Sequence, residues 1–243
     1  MPSTYDTIGV KYAELRQPET RIERAIETAL GSARTVLNVG AGTGSYEPAD
    51  RQVVAIEPSV EMIRQRPLRA APVVRGQAER LPFDDNAFDA SMAILTVHHW
   101  ADKARGLKEM RRVTRGQVVV LTYDPSFRGF WLADYIPELV ALDEAQMPDM
   151  ADYGAWLGPV EVSPVPIPHD CRDGFLCAYW RRPAAYLDPR MRAAMSCFWA
   201  VGDVSDALKR LKMDLDSGAW ERRYSELLGL DECDLGYRLV VTK

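Results

Sequence analysis

Three glycines, Gly40, Gly42 and Gly44, alternate within LNVGAGTGSY (residues 37–46), directly behind a short apolar run. Glycine tolerates positive φ and has no Cβ, so such a loop lets a ligand approach the backbone N–H groups closely. Taken alone, the spacing also suits a tight strand-to-helix turn that binds nothing. Glu57 ends the next apolar run, thirteen residues beyond Gly44. A carboxylate there can accept hydrogen bonds from both hydroxyls of a ribose, and its pairing with the loop favours a nucleoside. GQAERLPFDDNAFD (76–89) follows a third apolar run. It puts Gln77 and Ala78 where they could meet a base edge, with the apolar Pro58 and Met62 available for the base faces.

Phosphates fit this loop poorly. A nucleoside-triphosphate loop needs a lysine after its last glycine, and none follows Gly44. Dinucleotide loops prefer G-x-G-x-x-G and open a long helix whose N-terminus holds pyrophosphate. Here the spacing is G-x-G-x-G, and only residues 45–51, with Pro48 among them, precede the next strand. Any helix there is very short and its dipole weak.

A second chemical feature is HHW (98–100), directly after the fourth apolar run. With an unperturbed pKa near ~6.5, His98 or His99 could take a proton at neutral pH. Packed histidines that shape a pocket are the competing reading. Neighbours on extended backbone point apart, and no third ligand is evident, so no metal is expected.

The elements that must position these groups alternate regularly. ETRIERAIETAL (19–30) carries its apolar residues at helical spacing. Strands are predicted at 35–39, 52–57, 71–76, 88–95 and 117–123, with helices at 59–66 and 101–113. The strands are continuous apolar runs, as expected when both faces of a sheet are covered. This alternation predicts an α/β fold with a doubly wound, mainly parallel sheet. After Tyr123 the texture changes: 130–146 is amphipathic and aromatic, 159–170 is proline-punctuated and at best an edge strand, and 174–229 is largely helical. GYRLVVTK (236–243) is again a strand and should rejoin the sheet. The expected organisation is a lid and first helix over 1–34 and a cofactor-binding core over 35–125. An inserted helical cap with one edge strand over 126–235 precedes the final core strand over 236–243.

The chain has 243 residues, a hydrophobic share of 47% and a net charge of -5. That suits one large α/β domain and disfavours a generic nucleic-acid binder, which would present a basic face. No run approaches the ~20 apolar residues of a membrane span, and the N-terminus has no signal pattern. Cys171, Cys177, Cys197 and Cys233 form no C-x-x-C pair. Reduced thiols in a cytoplasmic protein are expected.

In order and spacing, VLNVGAGTG, VVAIEPSVEMI, GQAERLPFDDNAFDAS and GLKEMRRVTRGQVVVL resemble the class I S-adenosylmethionine-dependent methyltransferases over residues 35–124. YDTIGVKYAELRQP resembles the N-terminal lid of some small-molecule members. The resemblance implies a Rossmann-like sheet and a role for each matching position. Gly40, Ala41 and Gly42 would approach the methionine portion of S-adenosylmethionine, and Glu57 would bind its ribose. Pro58 and Met62 would sandwich adenine, with Gln77 and Ala78 at its edge. Ala93 and Ile94 would offer backbone carbonyls to the amino group. Tyr12 and Arg16, on a helical lid, would close over the carboxylate. Asn38 and Gln77 stand where the family usually has Asp, and an amide carries no charge to attract the cofactor's amino group. TRGQ (114–117) shortens the usual turn before the fifth strand.

Methyl transfer is an in-line displacement on an already activated cofactor, so the protein mainly supplies proximity and orientation. A base is needed only if the acceptor enters protonated. His98 is the preferred candidate because it matches the family's more usual histidine position. Trp131, Tyr135, His169 and Tyr179, with Phe175 and Trp180, are expected to wall the acceptor site. The implied function is methylation of a small-molecule acceptor, leaving S-adenosylhomocysteine, with no nucleic-acid or membrane partner. The alternative is a non-catalytic S-adenosylmethionine-binding regulator or scaffold. A nicotinamide-dependent oxidoreductase is disfavoured by the loop spacing.

Overall fold

The computed structural model describes residues 15–243. Helix α1 (Thr20–Ala29) starts at Glu19, whose side chain accepts from the Arg21 N–H, and buries Ile22 and Ile26. Strands β1 (Thr35–Val39), β2 (Gln52–Glu57), β3 (Val73–Arg75), β4 (Ala90–Ile94) and β5 (Val118–Tyr123) then run parallel to their neighbours. Helices α2 (Val60–Arg64) and α3 (Lys103–Val113) fall between them. Each predicted strand range is met to within two residues at either end.

Successive residues of a strand point to opposite faces, and both faces are packed. On β5, Val119 and Leu121 join one apolar cluster, while Val118 and Val120 join the other. On β4, Met92 and Ala93 divide in the same way. This two-sided burial is why the strands read as unbroken apolar runs.

The main sheet has seven strands, in the order β3-β2-β1-β4-β5 followed by β9 (Tyr237–Thr242) and β6 (Val160–Pro164). Strand β9 (Tyr237–Thr242) is antiparallel to β5, with Leu121 opposite Leu239, so the C-terminal segment does rejoin the sheet. Strand β6 (Val160–Pro164) pairs outside β9 as the edge strand.

The region expected as one insertion leaves the sheet twice. After β5 a short 3-10 turn (Trp131–Asp134) leads to α4 (Glu138–Gln146), which Pro137 caps. Then α5 (Met150–Leu157) packs beside α3, and β6 returns to the sheet. A second excursion, residues 165–235, carries the β7 (Ile167–Pro168) and β8 (Glu232–Cys233) pair and a series of short turns and helices. Its helices are α6 (Pro189–Ala193), α7 (Cys197–Ala200), α8 (Ser205–Asp216) and α9 (Ala219–Arg223). Pro183 and Pro189 stand at the starts of two of these pieces, where the N–H they lack would have no partner within the helix. No helix among the described residues is long and apolar enough to cross a membrane.

Candidate functional site

The glycine loop follows β1 at the carboxyl end of the parallel strands, where ligands of open α/β sheets sit. Gly40 has φ +70° because the chain must reverse there while its N–H still reaches Ile56 O at 2.9 Å. A Cβ on Gly40 would lie 2.1 Å from Thr96 Oγ1. At Gly42, φ is +52° and a Cβ would meet nothing within 4 Å, so the backbone there faces open space. No helix forms between Gly44 and β2.

That open space is a cavity of about 840 Å³. Its floor and walls include Asn38, Gly40, Ala41, Gly42, Glu57, Pro58, Met62, Gln77, Ala78, Ile94 and Arg16. Eleven positions expected from the sequence are therefore brought to one site. Ala93 is fully buried one residue earlier on β4 and does not line it. Tyr12 lies outside the described residues.

Glu57 is 5% exposed and holds the loop as well as facing the cavity. Its Oε2 accepts from the Gly42 N–H and its Oε1 from the Ser59 N–H, both at 2.8 Å. The Ser59 hydroxyl in turn accepts from the Met62 N–H and caps α2, which sets Met62 against the cavity. Asn38 donates to Glu47 at 3.1 Å, and Glu47 is ion-paired with Arg66.

Arg16 directly follows the helical Leu15 and is not itself helical. Its backbone bridges Asp173 in antiparallel fashion, and its guanidinium pairs with the Asp173 carboxylate. The same carboxylate accepts from Tyr46 Oη at 2.8 Å. Asp173 thus ties the chain before α1, the loop after β1 and the cap together. Tyr46, Thr96, His99 and Trp100 also line the cavity. Sequence reading passed over Tyr46 and Thr96, although an aromatic residue two positions after Gly44 was a usable signal.

The paired histidines sit in a 3-10 turn (Val97–His99), not on extended backbone. Their rings do not point apart but lie 3.8 Å between centroids. His99 lines the large cavity, whereas His98 lines a smaller one beside it. The walls of the cleft, then the cations Arg16 and Lys103, lower the His99 imidazole, although the residue stays exposed. Burial, His99, Lys103 and Arg16 push His98 well below its ordinary value. Both are neutral at pH 7, able to accept a hydrogen bond through one nitrogen and weaker as bases than the sequence suggested.

The four expected acceptor walls line neither cavity. Trp131 is a core ring whose Nε1 donates to Trp180 O at 2.7 Å, edge-on to Trp220 and Tyr186. Tyr135 donates to Asp214 at 2.6 Å. His169 is at the surface near Asp231 O. Tyr179 lies under the Arg182 guanidinium and reaches Met191 Sδ. Large aromatics in a cap satisfy its own core first. Of the wider set, Phe175 lines the smaller cavity, and Trp180 is fully buried.

A glycine loop, an acidic β2 terminus and an apolar base-sized slot, at the carboxyl edge of this strand order, define a nucleoside-cofactor site of the Rossmann-like methyltransferase type. The comparisons agree. The family described as "Methyltransferase domain" matches residues 37–121. A crystal structure of a candidate methyltransferase from an antibiotic biosynthesis pathway of Anabaena variabilis superposes with a TM-score of 0.86 at 34% identity, covering 94% of this chain and 99% of that one. The demethylmenaquinone methyltransferase of Mycolicibacterium gilvum is 36% identical over 112 residues, 44% of this chain and 49% of that protein. The match thus spans about half the length of such curated relatives. Geranyl diphosphate C-methyltransferase of Streptomyces coelicolor shares the fold, with a TM-score of 0.54 at 14% identity, over 91% of this chain and 78% of that one. The chain belongs to the class I S-adenosylmethionine-dependent methyltransferases.

Proposed function

We propose that the chain transfers a methyl group from S-adenosylmethionine to a small-molecule acceptor. The observation that carries this reading is the single cavity of about 840 Å³ that joins the glycine loop, Glu57 and the apolar slot of Pro58, Met62 and Ala78. Its size lies in the upper part of the usual small-ligand range. The lining fits the cofactor: open backbone at Gly42, a buried carboxylate for ribose hydroxyls, apolar walls for adenine and the Gln77 amide at its edge. Gly40, Ala41 and Asn38 would border the methionine portion, with Ile94 at the strand end. Arg16 would contribute its positive field near the carboxylate while still paired with Asp173.

When bound, the cofactor supplies an activated methyl group. The protein's share is orientation, water exclusion and uptake of any proton the acceptor gives up. A small acceptor is supported by net charge -5 and by the cap elements over the strand ends. All four cysteines are free thiols, which supports a reducing, cytoplasmic setting. The test is calorimetric titration with S-adenosylmethionine, S-adenosylhomocysteine and NAD. Saturable binding of the first two and not of NAD is expected. Binding of NAD alone would overturn the reading. Cofactor binding without turnover of any labelled acceptor would favour the regulatory alternative.

A further inference from the structure

Beside the cofactor cavity lies a second one of about 80 Å³, room for roughly five waters or one small ring. The two share Arg16 and Leu95 as common wall. The smaller cavity is built by both excursions from the sheet and by β5 and β9. Tyr123, Phe175 and Tyr237 give it an aromatic side, with Tyr237 5.4 Å from Tyr123 and 4.8 Å from Phe175 between ring centroids. Opposite chemistry comes from His98 and from Asp143 of α4.

Asp143 is the unusual member. Its carboxyl has no hydrogen-bond partner among the described residues. The charged group it feels is Arg128, which is engaged with Glu144. A half-buried carboxyl without a partner, on the wall of an aromatic pocket, is costly unless something donates to it. Burial moves it up to about 7, with Arg128 only partly opposing. That is a useful range for taking a proton at neutral pH.

We propose that the smaller cavity is the acceptor subsite, and that it takes a hydroxyl carried on a single aromatic ring, with Asp143 as the proton acceptor. This rests on the larger cavity being the cofactor site. In the transfer, the hydroxyl oxygen forms one bond to the methyl carbon as the S–CH3 bond breaks and leaves its electron pair on sulfur. The hydroxyl proton passes to the Asp143 carboxylate and then to solvent. His98, neutral and beside the same space, donates from its ring N–H to the hydroxyl oxygen and fixes its direction. The positive influence of Arg16 and Lys103 on this turn favours a developing oxyanion and disfavours an ammonium acceptor.

The test uses the full chain saturated with S-adenosylhomocysteine and three probes: 4-nitrophenol, nitrobenzene and 4-nitrobenzylamine. The readouts are affinity and, for the phenol, growth of the phenolate absorption band. 4-Nitrophenol should bind about tenfold or more tightly than nitrobenzene, the worth of one hydrogen bond to a charged group. Asp143→Asn should weaken it by about tenfold and suppress the band. Ser196→Trp, which fills the cavity from its rim, should abolish binding of the phenol. Both variants should keep their S-adenosylhomocysteine affinity, which also shows that they fold. Preference for the amine, equal affinity for nitrobenzene, or binding unaffected by Ser196→Trp would overturn the proposal. Failure of S-adenosylhomocysteine itself to bind would instead overturn the cofactor reading, and this inference with it.

Discussion

Asn38 donates from Nδ2 to Glu47 Oε1 across 3.1 Å, and Arg66 closes on the same carboxylate at 2.6 Å. The Glu47 and Arg66 side chains are 6% and 5% exposed. Arg66 also donates to the Gly42 carbonyl at 3.1 Å, so this cluster supports the loop from behind. The amide at position 38 therefore matches its neighbour. An aspartate there would put a second carboxylate against Glu47, and like charges at that distance resist joint ionisation.

Asn38→Asp should lower stability by about 1–3 kcal/mol, the usual cost of losing a buried hydrogen bond. It should also weaken S-adenosylhomocysteine binding. Adding Glu47→Gln should recover part of both losses, because it removes the repulsion. Urea unfolding and calorimetric titration of the two variants check this. A single variant as stable as the parent would show that the pair is not coupled.

Gly40→Ala should be far more damaging than its one methyl suggests. The φ of +70° already disfavours alanine, and the new Cβ would sit 2.1 Å from Thr96 Oγ1. Loss of detectable cofactor binding and a lowered melting temperature are expected. Adding Thr96→Ala should recover only part, since Thr96 Cβ itself would remain 2.9 Å away. Thermal melts and titrations of both variants decide it.

Glu57→Ala removes the acceptor for two backbone N–H groups, those of Gly42 and Ser59. Each hydrogen bond to a charged group is worth about 1.5–3 kcal/mol. Affinity for S-adenosylhomocysteine should fall by well over tenfold, and Glu57→Gln should lie between the two because it keeps one acceptor oxygen. Calorimetry on the three proteins measures the series. An alanine variant that binds normally would remove Glu57 from the site.

His99 and Asp143 should oppose each other in the pH dependence of stability. His99 is held below its ordinary 6.5, so it contributes stability that is full above 6.5 and is lost as pH falls towards its lowered folded value. With its folded value at about 7, Asp143 contributes stability that is full below its ordinary 3.8 and is lost as pH rises through about 7. Across the shared window the two slopes have opposite sign. Asp143→Asn should make the melting temperature rise more steeply with pH there, and His99→Gln should make it fall. Melts at half-unit pH steps test this, and parallel curves for all three proteins would contradict it.

Much of the cofactor site was legible because its residues lie at strand ends, where local spacing fixes location. A glycine loop after β1 and an acid at the end of β2 must meet once those strands pair in parallel, as Val39 and Ile56 do. The same logic placed Gln77 and Ala78. It failed for the histidines, whose 3-10 turn brings together rings that extended backbone would separate. It failed more widely in the cap, where Trp131 and Tyr135 are as aromatic as Tyr123 and Phe175 but belong to an interior core.

The sequence by itself determined the order of strands and helices, the two-sided burial of the sheet and the chemical character of the loop. Those follow from hydrophobic periodicity and from glycine's backbone freedom, which act over a few residues. Only the tertiary structure decided that Arg16 pairs with Asp173, 157 positions away, and that Asp143 from one excursion faces Phe175 and Cys197 from the other. It also decided that Asn38 answers to Glu47 and Arg66. Such pairings depend on how separate segments pack and on which charges that packing leaves to be matched, and neither is written in local spacing.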